Sequence, residues 1–401
     1  MPDSRARVRR LAASRLLSMT GTDASGVAIG FAMYSQTGSA AWLSLSLLLT
    51  IGAGAVMGPL GGWLGDRVPR RPLMIGAELA AAALFAAIAL VHTPAALLAF
   101  GLAGTAIGAV FGPAAGAAIA ELAGPRDLAW ANGLVASTSN VGKTVGRLGG
   151  GVLIALAGTS AVFVFDALTF LASAALIWSV RAPFGGAVRS AATAVARRGG
   201  MTFALRHPRI RLILVSACAS TFATAFTMTA EVPLVFELGG DAIALGALTA
   251  CWGLGMVAGS WHAGRVLHAG NEATGVLAGR LVMAVAIGLV GVTGALVPAL
   301  LCYVLGGIGG GFMGVAAQSL VLRETPDELR ARALGTIDAC RNVAFGVGVV
   351  GAGVAVDPLG PLTIYVVVGV ACLLGCLPVA ALVRSLGGVR PLRAPGAAPA
   401  V

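Results

Sequence analysis

Apolar residues run along this chain in long blocks, each ending at a glycine, proline or charged cluster. The blocks predict helices near 14–36, 42–64, 73–92, 95–120, 129–157, 160–180, 210–236, 243–264, 275–296, 298–322, 331–356 and 361–384. A helix needs roughly 20 apolar residues to cross a bilayer core, and each block is about that long. The expected fold class is therefore an all-α polytopic membrane protein with twelve transmembrane helices. The first block follows Arg5, Arg7, Arg9 and Arg10, like the basic start of a signal peptide. It is too long for one and leads directly into a second span without a clear cleavage site, so it reads as a retained helix.

Composition sharpens this picture. Of the 401 residues 58% are apolar and 11% charged, whereas a soluble domain carries about a quarter charged residues. An ordinary soluble enzyme is excluded. The net charge of +11 would point to nucleic acid only if the basic residues formed one patch, and here apolar runs separate small clusters. Those clusters fall in alternate connections: the amino end, Arg67/Arg70/Arg71, Arg126, Arg181–Arg211, Arg265, Arg323/Arg330/Arg332, and Arg384/Arg390/Arg393. The positive-inside rule then places both termini in the cytoplasm, of a multi-pass protein of the inner (plasma) membrane. Six cysteines and four histidines lack metal-ligand spacing, so no metal is expected. There is no GxxxxGK[ST] segment and no paired nucleophile and base. Neither ATP, another cofactor nor enzymatic catalysis is expected, and ion gradients must supply any energy.

The long polar stretch at 181–209 divides the chain into a bundle over 1–180, a cytoplasmic linker, a bundle over 210–384 and a cytoplasmic tail over 385–401. The halves repeat. Phe111, Pro125 and Leu128 match Phe312, Pro326 and Leu329 at one offset, 326 − 125 = 201. Two pseudo-symmetric six-helix bundles follow, and parallel repeats of this kind hold substrate between them near the midplane.

After the second block stands Gly62-Trp-Leu-Gly-Asp66-Arg67-Val-Pro-Arg70-Arg71-Pro-Leu73. It resembles motif A (GxxxDRxGRR) of the major facilitator superfamily. The resemblance implies that Gly62, Asp66, Arg67, Arg70 and Arg71 form a conformational switch that ties this loop to the start of the eleventh helix. Pro69 replaces the usual glycine and stiffens the turn. Ser18-Met-Thr-Gly21 with Asp23, Thr37-Gly38-Ser39-Ala40, Phe165-Asp166-Ala167-Leu168-Thr169-Phe170, Leu205-Arg206-His207-Pro208 and Pro326-Asp327-Glu328-Leu329 with Arg332 resemble the third drug:proton antiporter group. That likeness implies efflux of a drug, siderophore or secondary metabolite. Two features depart from it. Motif C, normally GxxxGPxxGG, here reads Gly142-Lys143-Thr-Val-Gly146-Arg147-Leu-Gly149-Gly150, with Arg147 in place of proline. The fourth helix also lacks an embedded arginine.

Lys143 is the only lysine, and it shares a helix face with Arg147 one turn on. A cation at mid-membrane costs about 2.5–3.5 kcal/mol on insertion scales, so this face must meet water, a counter-ion or substrate. Arg341 aligns through the 201-residue offset with Asn140. Lys143, Arg147 and Arg341 are thus the substrate or gating candidates, and Asp23 and Glu231 the proton-coupling candidates. Glu78, Asp166 and Asp338 lie nearer the helix ends. In the blander alternative, Asp23 and Asp338 simply neutralise the cations. The reading is a monomeric, proton-coupled exporter of small organic molecules whose partners are substrate, protons and lipid. The alternative is an importer or facilitator of an anionic metabolite.

Overall fold

The structure, a computed structural model, describes residues 2–65, 67–91, 93–180, 207–268, 270–325 and 330–385. Asp66, His92, most of the expected linker, Pro326–Leu329 and nearly all of the tail lie outside these. The described residues are helical apart from short turns. In order come α1 (Pro2–Thr37), α2 (Ala40–Gly65) and α3 (Arg70–Ile88), then a run over Pro94–Ser179 broken at Gly124 and Gly158. The breaks divide that run into α4 (94–123), α5 (125–157) and α6 (159–179). Then follow α7 (Pro208–Glu237), α8 (Ala242–Val266), α9 (Glu272–Thr293), α10 (Leu296–Glu324), α11 (Arg330–Leu359), α12 (Pro361–Leu374) and α13 (Cys376–Ser385). The last two make one span, turned at Gly375. Nine stretches among the described residues are long and apolar enough to cross a membrane. One of them, Trp130–Ser179, is really two spans joined at Gly158. Adding α1 and α2 gives the twelve expected helices.

Two corrections to the expected boundaries have physical causes. α1 continues through its arginines to Pro2 because Val8, Leu11 and Ala12, spaced i, i+3, i+4, are buried while Arg5, Arg9 and Arg10 stay exposed. The connection expected at 121–128 is helical except at Gly124, whose φ of 65° turns the chain. Glycines of this kind also carry the repeat. Gly38 and Gly239 stand 201 residues apart with φ of 62° and 70°, and Gly158 and Gly360 stand 202 apart with φ of 81° and 77°. Each sits between consecutive helices, where a left-handed residue without Cβ reverses the chain at no steric cost.

The chain forms two compact units, Met1–Ala191 with Gly240–Ala250, and Ala192–Gly239 with Cys251–Val401. In the first, an apolar cluster of Val8, Leu11, Met74, Phe111, Ala118 and Ile177 joins the ends of α1, α3, α4 and α6. In the second, Ile210, Ile213, Ala273, Leu320, Ile337 and Val383 join the corresponding ends of α7, α9, α10, α11 and α13. Small residues then let backbones touch, the usual source of helix association in lipid. In the second unit a Cβ at Gly279 of α9 would lie 2.7 Å from the Gly309 carbonyl oxygen of α10. Arg280, 2% exposed, donates to the Ser216 carbonyl of α7 at 2.8 Å and the Gly375 carbonyl at 2.9 Å, holding the turn between α12 and α13.

Candidate functional site

The altered motif C explains how α5 meets α1. Cβ atoms at Gly142, Gly146 and Gly150 would collide with the backbone of Leu16, Thr20 and Ala24 on α1, whereas Gly149 faces open space. The i, i+4, i+8 ridge is therefore a groove for α1. On its far side Gly151 lies on Ala242, and Arg147 contributes its carbonyl to a contact with Gly246 of α8. This close approach brings the Arg147 guanidinium to Asp23. Its Nε donates to Oδ1 at 2.9 Å, with 38% of the arginine side chain and 14% of the carboxylate exposed. An arginine has replaced the motif's proline, and its partner is the acid of the first helix. Lys143, one turn before, is exposed on the bundle surface.

In the second unit a different arginine links the equivalent helices, by weaker contacts. Arg341, half exposed, reaches Thr221 Oγ1 of α7 at 3.2 Å and Asp338 at 3.7 Å. Both acids of the blander alternative are thus beside their cations. Arg341 stands five residues into the apolar stretch Thr336–Leu359.

Glu231 sits on α7 one turn after Thr227, within electrostatic reach of two buried tyrosines. Tyr303 of α10 and Tyr365 of α12 share a short hydroxyl–hydroxyl hydrogen bond, and Tyr365 donates to the Thr227 carbonyl at 3.2 Å. Trp252 packs against Tyr303 in a T-shaped contact, ring centroids 6.1 Å apart. Neither tyrosine was expected from sequence, because nothing in the spacing of three scattered tyrosines brings two together.

Of the motif A residues, Asp66 and its tie to the eleventh helix lie outside the described side chains, as do residues 330–335. Gly62 lies in the last turn of α2. Arg67 is exposed. Arg70, buried at the start of α3, donates to Glu121 of α4 at 2.6 Å. Arg71 donates to the Trp178 carbonyl of α6 and lies 6.0 Å over its ring. The second unit repeats the first of these contacts with reversed signs: Arg323 of α10 pairs with Glu272 of α9 at 2.9 Å. Each pair spans 51 residues, and the second follows the first by 202. Sequence reasoning missed it because the repeat was sought as matching residues, whereas here only the sum of charge matches.

A further tie fixes the amino end. Arg5 Nη2 donates to Asp127 Oδ1 at 2.9 Å and the guanidinium lies 5.4 Å over Trp130. The hydrogen bond from Arg5 holds the Asp127 carboxyl below its ordinary range. Among the described residues, no cluster of three or more His, Cys, Asp or Glu could hold a metal ion. Cys372 and Cys376 are packed thiols, the Cys376 Sγ donating to the Cys372 carbonyl at 3.5 Å.

A model of the Major Facilitator Superfamily matches residues 11–304 and, overlapping it, 212–399. The uncharacterized MFS-type transporter YfiS of Bacillus subtilis is 24% identical over 335 residues, 80% of this chain and 78% of its own length. Among solved structures, the nucleoside transporter NupG superposes with a TM-score of 0.76 at 12% identity, covering 94% of this chain and 98% of its own. A bacterial homolog of the human lysosomal transporter Spinster, inward-facing and occupied, gives 0.74 at 15% identity, covering 96% and 97%. With its helix order, its repeated halves and a family match over most of its length, this chain belongs to the major facilitator superfamily and is a membrane transporter of that kind.

Proposed function

We propose that this transporter is a secondary active exporter of small organic molecules, driven by protons through alternating access. The observation that carries this reading is the Asp23–Arg147 pair, built into the apolar part of the first bundle. A carboxylate paired with a guanidinium holds α1 to α5; a protonated one has lost the attraction and lets them part. One proton taken up on one face and released on the other thereby changes how two helices pack. The likeness to the third drug:proton antiporter group favours the exporter direction, with drugs, siderophores or secondary metabolites as cargo, and the altered motif C is the feature that speaks for the opposite direction. In this reading the protein works as a monomer in the inner membrane, with both termini cytoplasmic and without cofactor or nucleic acid.

A second reading has its own support. Lys143 is exposed beside Arg147, and Arg341 is half exposed, so cations remain for an anionic metabolite moved inward or down its gradient. The test that separates the two is accumulation of a compound panel by cells with and without the gene, repeated with a protonophore. Export that stops when the proton gradient collapses selects the first reading. Gradient-independent entry of acidic compounds selects the second.

A further inference from the structure

Helices α1 and α6 meet along a seam that the proposed coupling pair does not use. On α1 the buried positions Ser14, Ser18, Gly21 and Ser25 recur at i, i+4, i+7 and i+11. On α6 the buried positions Asp166, Thr169 and Ser173 recur at i, i+3 and i+7, so each helix presents a polar stripe inside an apolar span. The stripes touch at Gly21, where a Cβ would collide with Asp166 Oδ1 and Thr169 Oγ1. The aspartate is thus pressed against bare backbone. It is fully buried, and Oδ1 accepts from Thr169 at 3.2 Å.

Glu78 enters from α3 and is 2% exposed. The Ser25 hydroxyl faces Asp166 and the Ser173 hydroxyl faces Glu78. Both hydroxyls are shut from solvent, as are Asp166 Oδ2 and Glu78 Oε2, and each serine approaches its carboxyl without reaching full hydrogen-bond geometry. Two carboxyls shut in one seam, each with only a serine hydroxyl set against its free oxygen, are a costly arrangement while both carry charge.

The surrounding charges say what. Arg15 of α1 is within electrostatic reach of Glu78, and Asp166 of both Glu78 and Asp23. Arg147 of α5 is paired with Asp23. Three carboxyls therefore face two guanidiniums in a low-dielectric interior, one negative charge too many. A single proton cancels the excess and turns one carboxylate oxygen into a donor for its neighbours. A metal cation fits less well, since two guanidiniums flank the row and repel it.

We propose that Asp166 and Glu78 form a proton-binding pair inside the first bundle, a store that hands its proton to Asp23 when Arg147 is displaced. The proton passes between carboxylate oxygens, with Ser25, Thr169 and Ser173 lining the way, and no other bond changes. The inference rests on proton coupling at Asp23 but places the resident proton elsewhere.

Infrared difference spectroscopy of the purified protein in lipid nanodiscs tests it. The probe is the carbonyl stretch of a protonated carboxylic acid, identified by its shift in D2O and titrated between about pH 5 and pH 9. The wild type is expected to show one such buried band, lost in Asp166→Asn with Glu78→Gln and kept in Asp23→Asn. Ser25→Ala and Ser173→Ala keep every carboxyl, so they should move the band without removing it, which protects the test should the acid variants fold poorly. Absence of the band in the wild type, its survival in the double acid variant, its loss in Asp23→Asn, or its disappearance on adding sodium at fixed pH would overturn the proposal. The band is read without gradient or substrate. A transporter that proves not to be proton-driven can still show it, and a missing band leaves Asp23 free to couple by itself.

Discussion

Neutralising Asp23 and Arg147 singly and together measures the pair that links the fold to coupling. The guanidinium and carboxylate meet at 2.9 Å, the acid mostly buried and the arginine about a third exposed. Exposed pairs are worth about 0.2–1 kcal/mol, and breaking a buried one by removing a single partner costs about 3–5 kcal/mol. With one partner partly open, a coupling energy of about 1–3 kcal/mol is expected. Asp23→Asn leaves Arg147 unpaired on a helix inside the apolar span, so it should lower thermal stability in detergent. Arg147→Met leaves the acid unpaired and should do the same. The double variant should be more stable than the sum of the two losses predicts, because neither orphaned charge remains. The assay is a double-mutant cycle on melting temperature, with transport followed in parallel. Strictly additive losses would refute the reasoning, since they would show that the two side chains do not interact in the folded protein.

The opposed ion pairs of the two units make a second test. Arg70→Glu should destabilise the protein and Arg70→Glu with Glu121→Arg should restore it, giving the first unit the polarity that Glu272 and Arg323 already have in the second; failure of the swap to rescue thermal stability would show that the pair is incidental. On α5, Gly146→Leu should cost about 1–3 kcal/mol or prevent folding, while Gly149→Leu, which faces open space, should be tolerated in the same expression and melting assay. The Arg5–Asp127 tie depends on pH: because the carboxyl is held below its ordinary value, the tie is fully present above about pH 4 and is lost as pH falls through the lowered one. Protection of the amino end of α1 from hydrogen exchange should fall over that acid range in wild type and be pH-independent in Asp127→Asn. Asp66→Asn should impair transport but leave expression and ligand binding largely intact, and unchanged flux in vesicles would remove its role as a switch.

Helix positions were legible because lipid enforces them: a span must be long, apolar and internally hydrogen-bonded, so block lengths mark it directly. The breaks at Gly124 and Gly158 show where this stops, since a single left-handed glycine ends a helix without any change in polarity. Arg147 was legible as a departure, because a cation inside an apolar block must find a partner. Its partner was readable only as one of several acids, for residues 124 apart in sequence are joined by the glycine ridge and not by spacing. Asp166 and Glu78 were placed near helix ends and given a lesser role. The missed signal was the pair of polar stripes, i, i+4, i+7, i+11 on α1 and i, i+3, i+7 on α6, which periodicity alone could have raised. Arg280 and the Tyr303–Tyr365 contact gave no such signal, since each depends on which helices meet.

Reconstituting the purified transporter into liposomes with an imposed pH gradient tests proton-driven transport most directly. With a compound taken from the cellular panel, its uptake into liposomes with an acidic lumen should require the gradient, stop on addition of a protonophore, and dissipate the gradient measurably as substrate enters. Asp23→Asn should abolish this uphill uptake while retaining exchange of substrate down its own gradient. Uphill uptake that persists after the gradient collapses, or that Asp23→Asn leaves intact, would contradict the account.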